Sequence, residues 1–176
     1  MLEACRAIVG RACALPFVAC PVIKSVRFRD AVEGAFATEM APLAMDALVL
    51  KLAEALLSAS GGPAPVKPRV DKVAVDRMRQ FLDTETGRVV HSSELEIVSG
   101  LSRFDLSRQF RAQVGTSPYR YSLMRRLESA RGRIGERPIV NLALEAGFAD
   151  QAHFTRAFKA AFGIAPAKYA ALSQSS

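Results

Sequence analysis

Apolar residues recur at helical spacing in the last third of the chain. The first predicted helix there carries an apolar face formed by Ile139, Leu142, Ala143 and Ala146. The second carries phenylalanine at every fourth position, at Phe154, Phe158 and Phe162. Gly147 separates the two helices, Asp150 is suited to cap the second, and Gly163 is suited to end it. Two short helices around a glycine-containing turn predict a helix-turn-helix motif.

The same pattern occurs once more, about 48 residues earlier. Leu95 and Gly100 precede Leu142 and Gly147 by 47 positions. An offset of 48 relates Arg108, Phe110, Arg111, Gly115, Pro118 and Tyr121 to Arg156, Phe158, Lys159, Gly163, Pro166 and Tyr169. Ser102 is suited to cap the second helix of this earlier motif, and Ser92 or Ser93 its first. The chain therefore contains an internal repeat of two helix-turn-helix units.

Further helices are predicted between the two units and before them. Between the units, an amphipathic helix from residue 117 to about 134 would span about 25 Å, comparable with one DNA turn of about 34 Å. Upstream, residues 72–86, 27–40 and 43–57 show helical apolar spacing, and the last of these is apolar on almost every side. Residues 58–69 contain two glycines and three prolines, which predict a solvated linker.

Charge and cysteine content narrow the class of protein. The net charge is +7, and residues 71–176 hold 16 basic and 11 acidic residues, which favours a polyanionic partner. Cys5, Cys13 and Cys20 are an odd number without metal-ligand spacing, so we predict three reduced thiols in a cytoplasmic protein without metal or cofactor.

The apolar run at residues 12–23 is too short and too rich in proline to span a membrane. His91 and His153 lack nucleophile partners, so an enzyme is not expected.

The segment from Leu142 to Tyr169 resembles the signature of the AraC/XylS family of bacterial transcription regulators. The matching positions are Leu142, Ala143, Ala146, Gly147, Phe148, Phe154, Arg156, Phe158, Lys159, Phe162, Gly163, Pro166 and Tyr169. The resemblance implies an all-α fold in which two helix-turn-helix subdomains are joined by a long linker helix. It also implies sequence-specific binding to two adjacent major-groove segments of double-stranded DNA, activation as the sign of regulation, and RNA polymerase as a further partner.

On this basis we predict three regions. Residues 1–58 form a helical remnant of an effector or dimerisation domain, residues 59–70 the linker, and residues 71–173 the DNA-binding domain. Within the last, the two helix-turn-helix motifs occupy about 93–112 and 138–162, on either side of the linker helix at about 117–134. Such regulators often carry an effector-binding β-domain, which residues 1–26 do not resemble, so a small-molecule sensor is not expected.

The recognition helices supply the predicted DNA contacts. Base-reading positions implied by the resemblance are Phe104, Ser107, Arg108, Gln151, His153 and Arg156. Arginine pairs with guanine O6 and N7, glutamine pairs with adenine N6 and N7, and phenylalanine can contact a thymine methyl group. The predicted phosphate contacts are Arg103, Arg111 and Lys159, which would set register rather than specificity. Glu96 stands where the second unit has Ala143, and a carboxylate buried there would weaken the first unit unless it is paired.

An interaction protein is the alternative prediction. The apolar residues at 27–57 could form a homodimer, or a heterodimer with a full-length regulator that this chain would titrate. The predicted dimerisation residues are Phe36, Leu43, Leu48, Leu52 and Leu56. A specific DNA site bound by this chain alone, with a steep salt dependence, would favour the regulator over the alternative.

Overall fold

A computed structural model describes residues 1–18, 25–37 and 41–173. These ranges contain ten helices and no strand. The helices are α1 (Leu2–Val9), α2 (Val26–Ala37), α3 (Pro42–Ala59), α4 (Lys72–Thr84), α5 (Ser92–Ser99), α6 (Arg103–Val114), α7 (Pro118–Arg131), α8 (Ile139–Glu145), α9 (Gln151–Phe162) and α10 (Pro166–Ser173). The predicted all-α class is confirmed. No helix in the described ranges is both long and apolar enough to cross a membrane.

The chain forms two compact units. The first comprises Met1–Met78 and His91–Tyr119, and the second comprises Arg79–Val90 and Arg120–Ser176. This division differs from the predicted one, because the first unit contains the N-terminal helices together with the first helix-turn-helix. Residues 60–71 form a non-helical connection that lies within the first unit.

The core of the first unit joins helices that are distant in sequence. Helix α3 packs against α1, α2, α5 and α6, and α1 also packs against α6. The buried cluster consists of Ala4, Cys5, Ile8, Val9, Leu50, Ala53, Leu57 and Phe104. Full burial of one large aliphatic or aromatic side chain stabilises a fold by about 1.5–3 kcal/mol, so these contacts hold α1 on the surface formed by α3 and α6.

Helix α1 is absent from the sequence-based prediction. Its buried residues are Ala4, Cys5, Ile8 and Val9, a pattern at spacings of one and four that an amphipathic helix produces. Gly10 ends the helix with φ 72°, and its N–H donates to the Arg6 carbonyl oxygen at 2.8 Å. The signal was therefore present in the sequence, but it spans only eight residues.

The predicted dimerisation residues of α3 differ in burial. Leu43 is buried inside the first unit, whereas Leu48, Leu52 and Leu56 are half-buried along one side of the helix. The side chain of Phe36 lies outside the described part of the chain, as does Cys20. Leu43 therefore packs within the unit, and the other three leucines keep part of their surface available.

The second unit is built around an aromatic row. The rings of Phe148, Phe154, Phe158 and Phe162 contact one another in that order, Tyr169 contacts Phe158, and the contacting ring centroids are 4.5–5.8 Å apart. Offset and edge-on contacts at this spacing are favourable beyond the area that they bury. Leu127, Ala130, Ile134, Leu142, Ala143 and Ala146 complete the core. The predicted structural role of these phenylalanines is therefore consistent with their packing.

Candidate nucleic-acid interface

The turn of the second helix-turn-helix is fixed by backbone geometry. Gly147 has φ 71°, and a Cβ atom added there would lie 2.8 Å from the Cα atom of Arg88. A side chain at this position would meet both a left-handed backbone and a close backbone neighbour. Glycine is therefore required to bring α8 and α9 together at this angle.

Arg126 of α7 stabilises the same turn through hydrogen bonds to its backbone. Its side chain is buried, and Nε donates to the Ala146 carbonyl oxygen at 2.7 Å while a terminal nitrogen donates to the Gly147 carbonyl oxygen at 2.5 Å. Its guanidinium also lies 4.4 Å from the Phe148 ring centroid. These contacts satisfy carbonyl groups that the end of α8 leaves unpaired. No local pattern in the sequence marks an arginine that bonds a carbonyl group 20 residues away, so this role of Arg126 was not predicted.

Helix α9 carries exposed polar side chains at its first residue and along its length. Asp150 caps the helix, as predicted, and its carboxylate accepts from the His153 N–H at 2.6 Å. Gln151, Arg156 and Lys159 are exposed. Side chains that reach from a rigid, capped helix into solvent can reach base edges and phosphates. Three of the four polar residues predicted on α9 are therefore available.

His153 has a more restricted setting than predicted. Its ring is half-buried and lies 4.9 Å from the Phe148 ring centroid, at an interplanar angle of 60°. This packing leaves only part of the ring accessible.

The first helix-turn-helix has the same local construction. Gly100 follows α5 with φ 72°, and Ser102 caps α6 as predicted. Helix α5 is capped differently from the prediction: His91 precedes it, Ser92 is its first residue, and the His91 N–H donates to the Glu94 carboxylate at 2.8 Å. The backbone framework of the two motifs is therefore repeated.

Glu96 does not incur the cost that its position suggested. Its carboxylate is half-buried and accepts a hydrogen bond from the Arg103 N–H at 2.8 Å. That N–H belongs to the first residue of α6, where backbone donors have no partner within the helix and the helix dipole favours an anion. The carboxylate is thus paired, and the first motif keeps its geometry.

Of the three predicted base-reading residues of α6, two are buried and Arg108 is half-buried. Phe104 and Ser107 are each 6% exposed, and Phe104 belongs to the core shared with α1 and α3. The Arg108 guanidinium donates hydrogen bonds to the carbonyl oxygens of Ala7 and Val66. Burial lowers the pKa of Arg108, although arginine remains charged at neutral pH. The expectation of an open reading face on α6 is therefore not met, because α1 and the linker cover it.

Arg103 and Arg111, predicted to contact phosphates, are exposed at the two ends of α6. Exposed arginine side chains at helix ends are free to move toward a phosphate backbone. The first recognition helix therefore keeps its peripheral cationic positions accessible while its central face is covered.

Comparison with known proteins places both recognition helices in one type of domain. A family model described as a helix-turn-helix domain matches residues 98–171, which include both recognition helices. A crystal structure of a transcriptional regulator from Chromobacterium violaceum, described as having an AraC-type DNA-binding domain, superposes with a TM-score of 0.54 at 25% identity. It covers 57% of this chain and 91% of that one. The chain carries a DNA-binding domain of the AraC/XylS family.

Two further regulators are similar to this chain. The C-terminal domain of AraT, a response regulator from Geobacillus stearothermophilus, matches with a TM-score of 0.54 and 26% identity over 59% of this chain and 88% of that one. The probable transcriptional regulator LumQ of Photobacterium leiognathi is 29% identical over 103 residues, which are 57% of this chain and 40% of LumQ. The match therefore covers less than half the length of LumQ. The family consists of DNA-binding regulators rather than enzymes.

Proposed function

We propose that this protein is a sequence-specific transcription regulator that reads DNA through α9. The observation that carries the proposal is the exposure of Gln151, Arg156 and Lys159 on α9, a helix anchored by buried phenylalanines and preceded by a turn that Arg126 stabilises. A rigid support matters because base readout depends on placing hydrogen-bonding groups accurately. The net charge of +7 adds an attraction for DNA that does not depend on sequence.

The proposed contacts follow from side-chain chemistry. Arg156 would bond O6 and N7 of a guanine, Gln151 would bond N6 and N7 of an adenine, and His153 would supply a single hydrogen bond. Lys159 would contact a phosphate, as would Arg103 and Arg111 on α6. Base reading by Phe104, Ser107 and Arg108 would add a second major-groove segment once their face is open.

The proposal extends to activation of transcription through contact with RNA polymerase. Its support is the resemblance to the family rather than a particular contact in this chain. Transcription in vitro from a promoter that carries the selected site would determine the sign: activation requires more transcript when the protein is added, and less transcript would mean repression.

Selection of duplex DNA from a random library, at about 0.15 M salt, tests the proposed function. We expect at least one enriched motif, and Arg156→Ala should relax the preference at one base pair and weaken binding by about 1–3 kcal/mol. Arg77→Ala, which removes an exposed arginine of α4, is the matched control and should preserve the motif. Binding without any enriched motif would contradict the proposal.

Self-association is a second candidate function. The half-buried stripe of Leu48, Leu52 and Leu56 favours it, because leucines four residues apart form a continuous strip suited to another helix. Sedimentation equilibrium of the chain and of Leu52→Glu would test it. A dimer that becomes a monomer in the variant would support the interaction role, and a monomer in both would remove it.

A further inference from the structure

The two recognition helices differ in how much of their reading face is accessible. By the 48-residue repeat, Phe104, Ser107 and Arg108 of α6 correspond to Ala152, Thr155 and Arg156 of α9. Ala152 and Arg156 are exposed and Thr155 is half-buried, whereas Phe104 and Ser107 are buried and Arg108 is half-buried. Both motifs have a turn glycine of positive φ and a side-chain cap on the recognition helix, so the difference comes from what lies on α6.

Helix α1 covers the centre of that face. Phe104 packs in one cluster with Ala4, Cys5 and Ile8 of α1 and with leucines of α3. The equivalent residue of α9, Ala152, is exposed. Without α1 and α3 against α6, Phe104 would therefore be an exposed apolar side chain. Packing against α1 therefore removes the Phe104 ring from solvent and places it against apolar side chains.

Hydrogen bonds at the end of α1 fix its position. The last carbonyl groups of a helix have no partner within it. Here three consecutive ones are satisfied: the Arg6 oxygen by the Gly10 N–H at 2.8 Å, the Ile8 oxygen by the Val66 N–H at 2.9 Å, and the Ala7 oxygen by the Arg108 guanidinium. A cation at this end of the helix is also favoured by the helix dipole.

Arg108 connects all three elements. Its guanidinium bonds the Ala7 oxygen of α1 and the Val66 oxygen of the linker, while Val66 itself bonds back to Ile8. Bidentate recognition of guanine needs the same planar fork of N–H groups that these carbonyls occupy. Contact of α6 with α1 and contact of α6 with base edges are therefore mutually exclusive.

We propose that α1, together with the linker at Val66, is an autoinhibitory cap on the first recognition helix. In the capped state the protein reads bases through α9 alone, and α6 reads bases only after α1 has left its surface. This inference rests on the proposed function. It predicts that the apparent affinity for a two-part site is reduced in proportion to the uncapped fraction.

A substitution in α1 tests the cap in the full chain. Ile8 of α1 is fully buried in the cluster that α1 shares with α3 and α6. Burying a charge there is costly, so Ile8→Asp should release α1 from the surface of α6. Leu15→Asp introduces the same chemistry at an exposed position and is the matched control. We expect Ile8→Asp to enrich a second DNA motif in the selection. We also expect it to bind the resulting two-part duplex at least about tenfold more tightly than the native chain.

A duplex that holds only the α9 motif separates the cap from general effects. The native chain, Ile8→Asp and Leu15→Asp should bind it equally. Equal affinities of all three chains for the two-part duplex as well would overturn the inference. If no chain distinguishes a selected duplex from a scrambled one, the proposed function itself fails.

The buried thiol of Cys5 reports on the cap without disturbing it. Cys5 has no exposed surface and lies within the cluster under α1, and burial raises its thiol pKa, which further slows its reaction. In a chain with Cys13→Ser and Cys20→Ser, labelling of Cys5 by a disulfide reagent is measured together with a hydroxyl-radical footprint. A footprint on one half-site with Cys5 protected, or on two half-sites with Cys5 labelled, supports the cap.

A footprint on two half-sites with Cys5 still protected would overturn the inference, because α6 would then read DNA beneath α1. This measurement decides the question even if Ile8→Asp loses its helical circular dichroism signal. Failure of the proposed function would instead appear as no footprint at all.

Discussion

The carboxylate of Glu96 accepts a hydrogen bond from the backbone N–H of Arg103 at 2.8 Å. This contact joins the last turn of α5 to the first turn of α6. It reverses the interpretation that the sequence suggested for Glu96, because the charged group is paired with a helix N-terminus instead of being buried against a neighbour. The first motif therefore gains a contact that the second, with Ala143 at this position, does not have.

Replacement of Glu96 should destabilise the protein. We expect Glu96→Ala to lower the free energy of unfolding by about 1 kcal/mol, the usual contribution of a capping side chain. Glu96→Gln keeps an acceptor but loses the charge. Its loss of unfolding free energy should therefore be only the contribution of that charge, about 0.3–1 kcal/mol. Urea unfolding followed by circular dichroism measures both. A gain in stability in Glu96→Ala would mean that the carboxylate is a burden after all.

The two turn glycines should differ sharply in their tolerance of alanine. Both Gly147 and Gly100 have positive φ, which alone disfavours alanine by about 1–2 kcal/mol. At Gly100 an added Cβ meets nothing within 4 Å, whereas at Gly147 it meets backbone atoms of Arg88 at 2.8–3.2 Å. We expect Gly147→Ala to lose at least a further ~1–3 kcal/mol from overpacking. Equal thermal midpoints for the two variants would contradict this reasoning.

Arg126 should be a structural determinant of the second motif. Arg126→Ala leaves the carbonyl oxygens of Ala146 and Gly147 without these partners, and we expect a loss of about 3 kcal/mol of unfolding free energy. Arg131 of the same helix is exposed and lies over the Phe162 ring at 4.9 Å, so Arg131→Ala should lose only about 0.5–1 kcal/mol. Similar losses in both variants would show that the hydrogen bonds of Arg126 contribute little.

Local patterns predicted the parts of the fold that depend on neighbours in sequence. The four-residue spacing of Phe154, Phe158 and Phe162 anticipates the core of the second unit. The caps at Ser102 and Asp150 also follow from residue type and position. Each of these features is set within one or two helical turns, which is the range that periodicity and capping rules describe.

Features that depend on distant partners could not be read in this way. The contact of Arg108 with Ala7 joins residues 101 positions apart, and that of Arg126 with Ala146 joins residues 20 apart. An arginine that bonds a backbone carbonyl leaves no complementary residue in the sequence to signal the pair. For that reason the spacing of Phe104, Ser107 and Arg108 correctly indicated a shared face but not what covers it.

The stability of the second unit should depend on the ionisation of Glu145. Hydrogen bonding to Arg133, with a further bond to Arg137, lowers the pKa of this carboxyl. Because the folded-state pKa is the lower one, the contribution is present above the ordinary carboxyl pKa and disappears as the pH falls through the lowered value. Glu145→Gln should therefore be less stable than the native protein at neutral pH and equal to it in strong acid. A difference that persists in acid would assign the effect to packing.

Lys159 should contribute to DNA affinity without contributing to specificity. It is exposed near the end of α9, and the repeat relates it to Arg111 of α6. A phosphate contact releases condensed counterions, so Lys159→Ala should reduce the slope of log K against log salt by about 0.9 and leave the enriched motif unchanged. Lys168→Ala removes an exposed lysine of α10 and should preserve the slope. Fluorescence anisotropy titrations at several salt concentrations measure both variants. A changed motif in Lys159→Ala would show that this side chain reaches a base, whereas identical slopes in the two variants would place it away from the DNA.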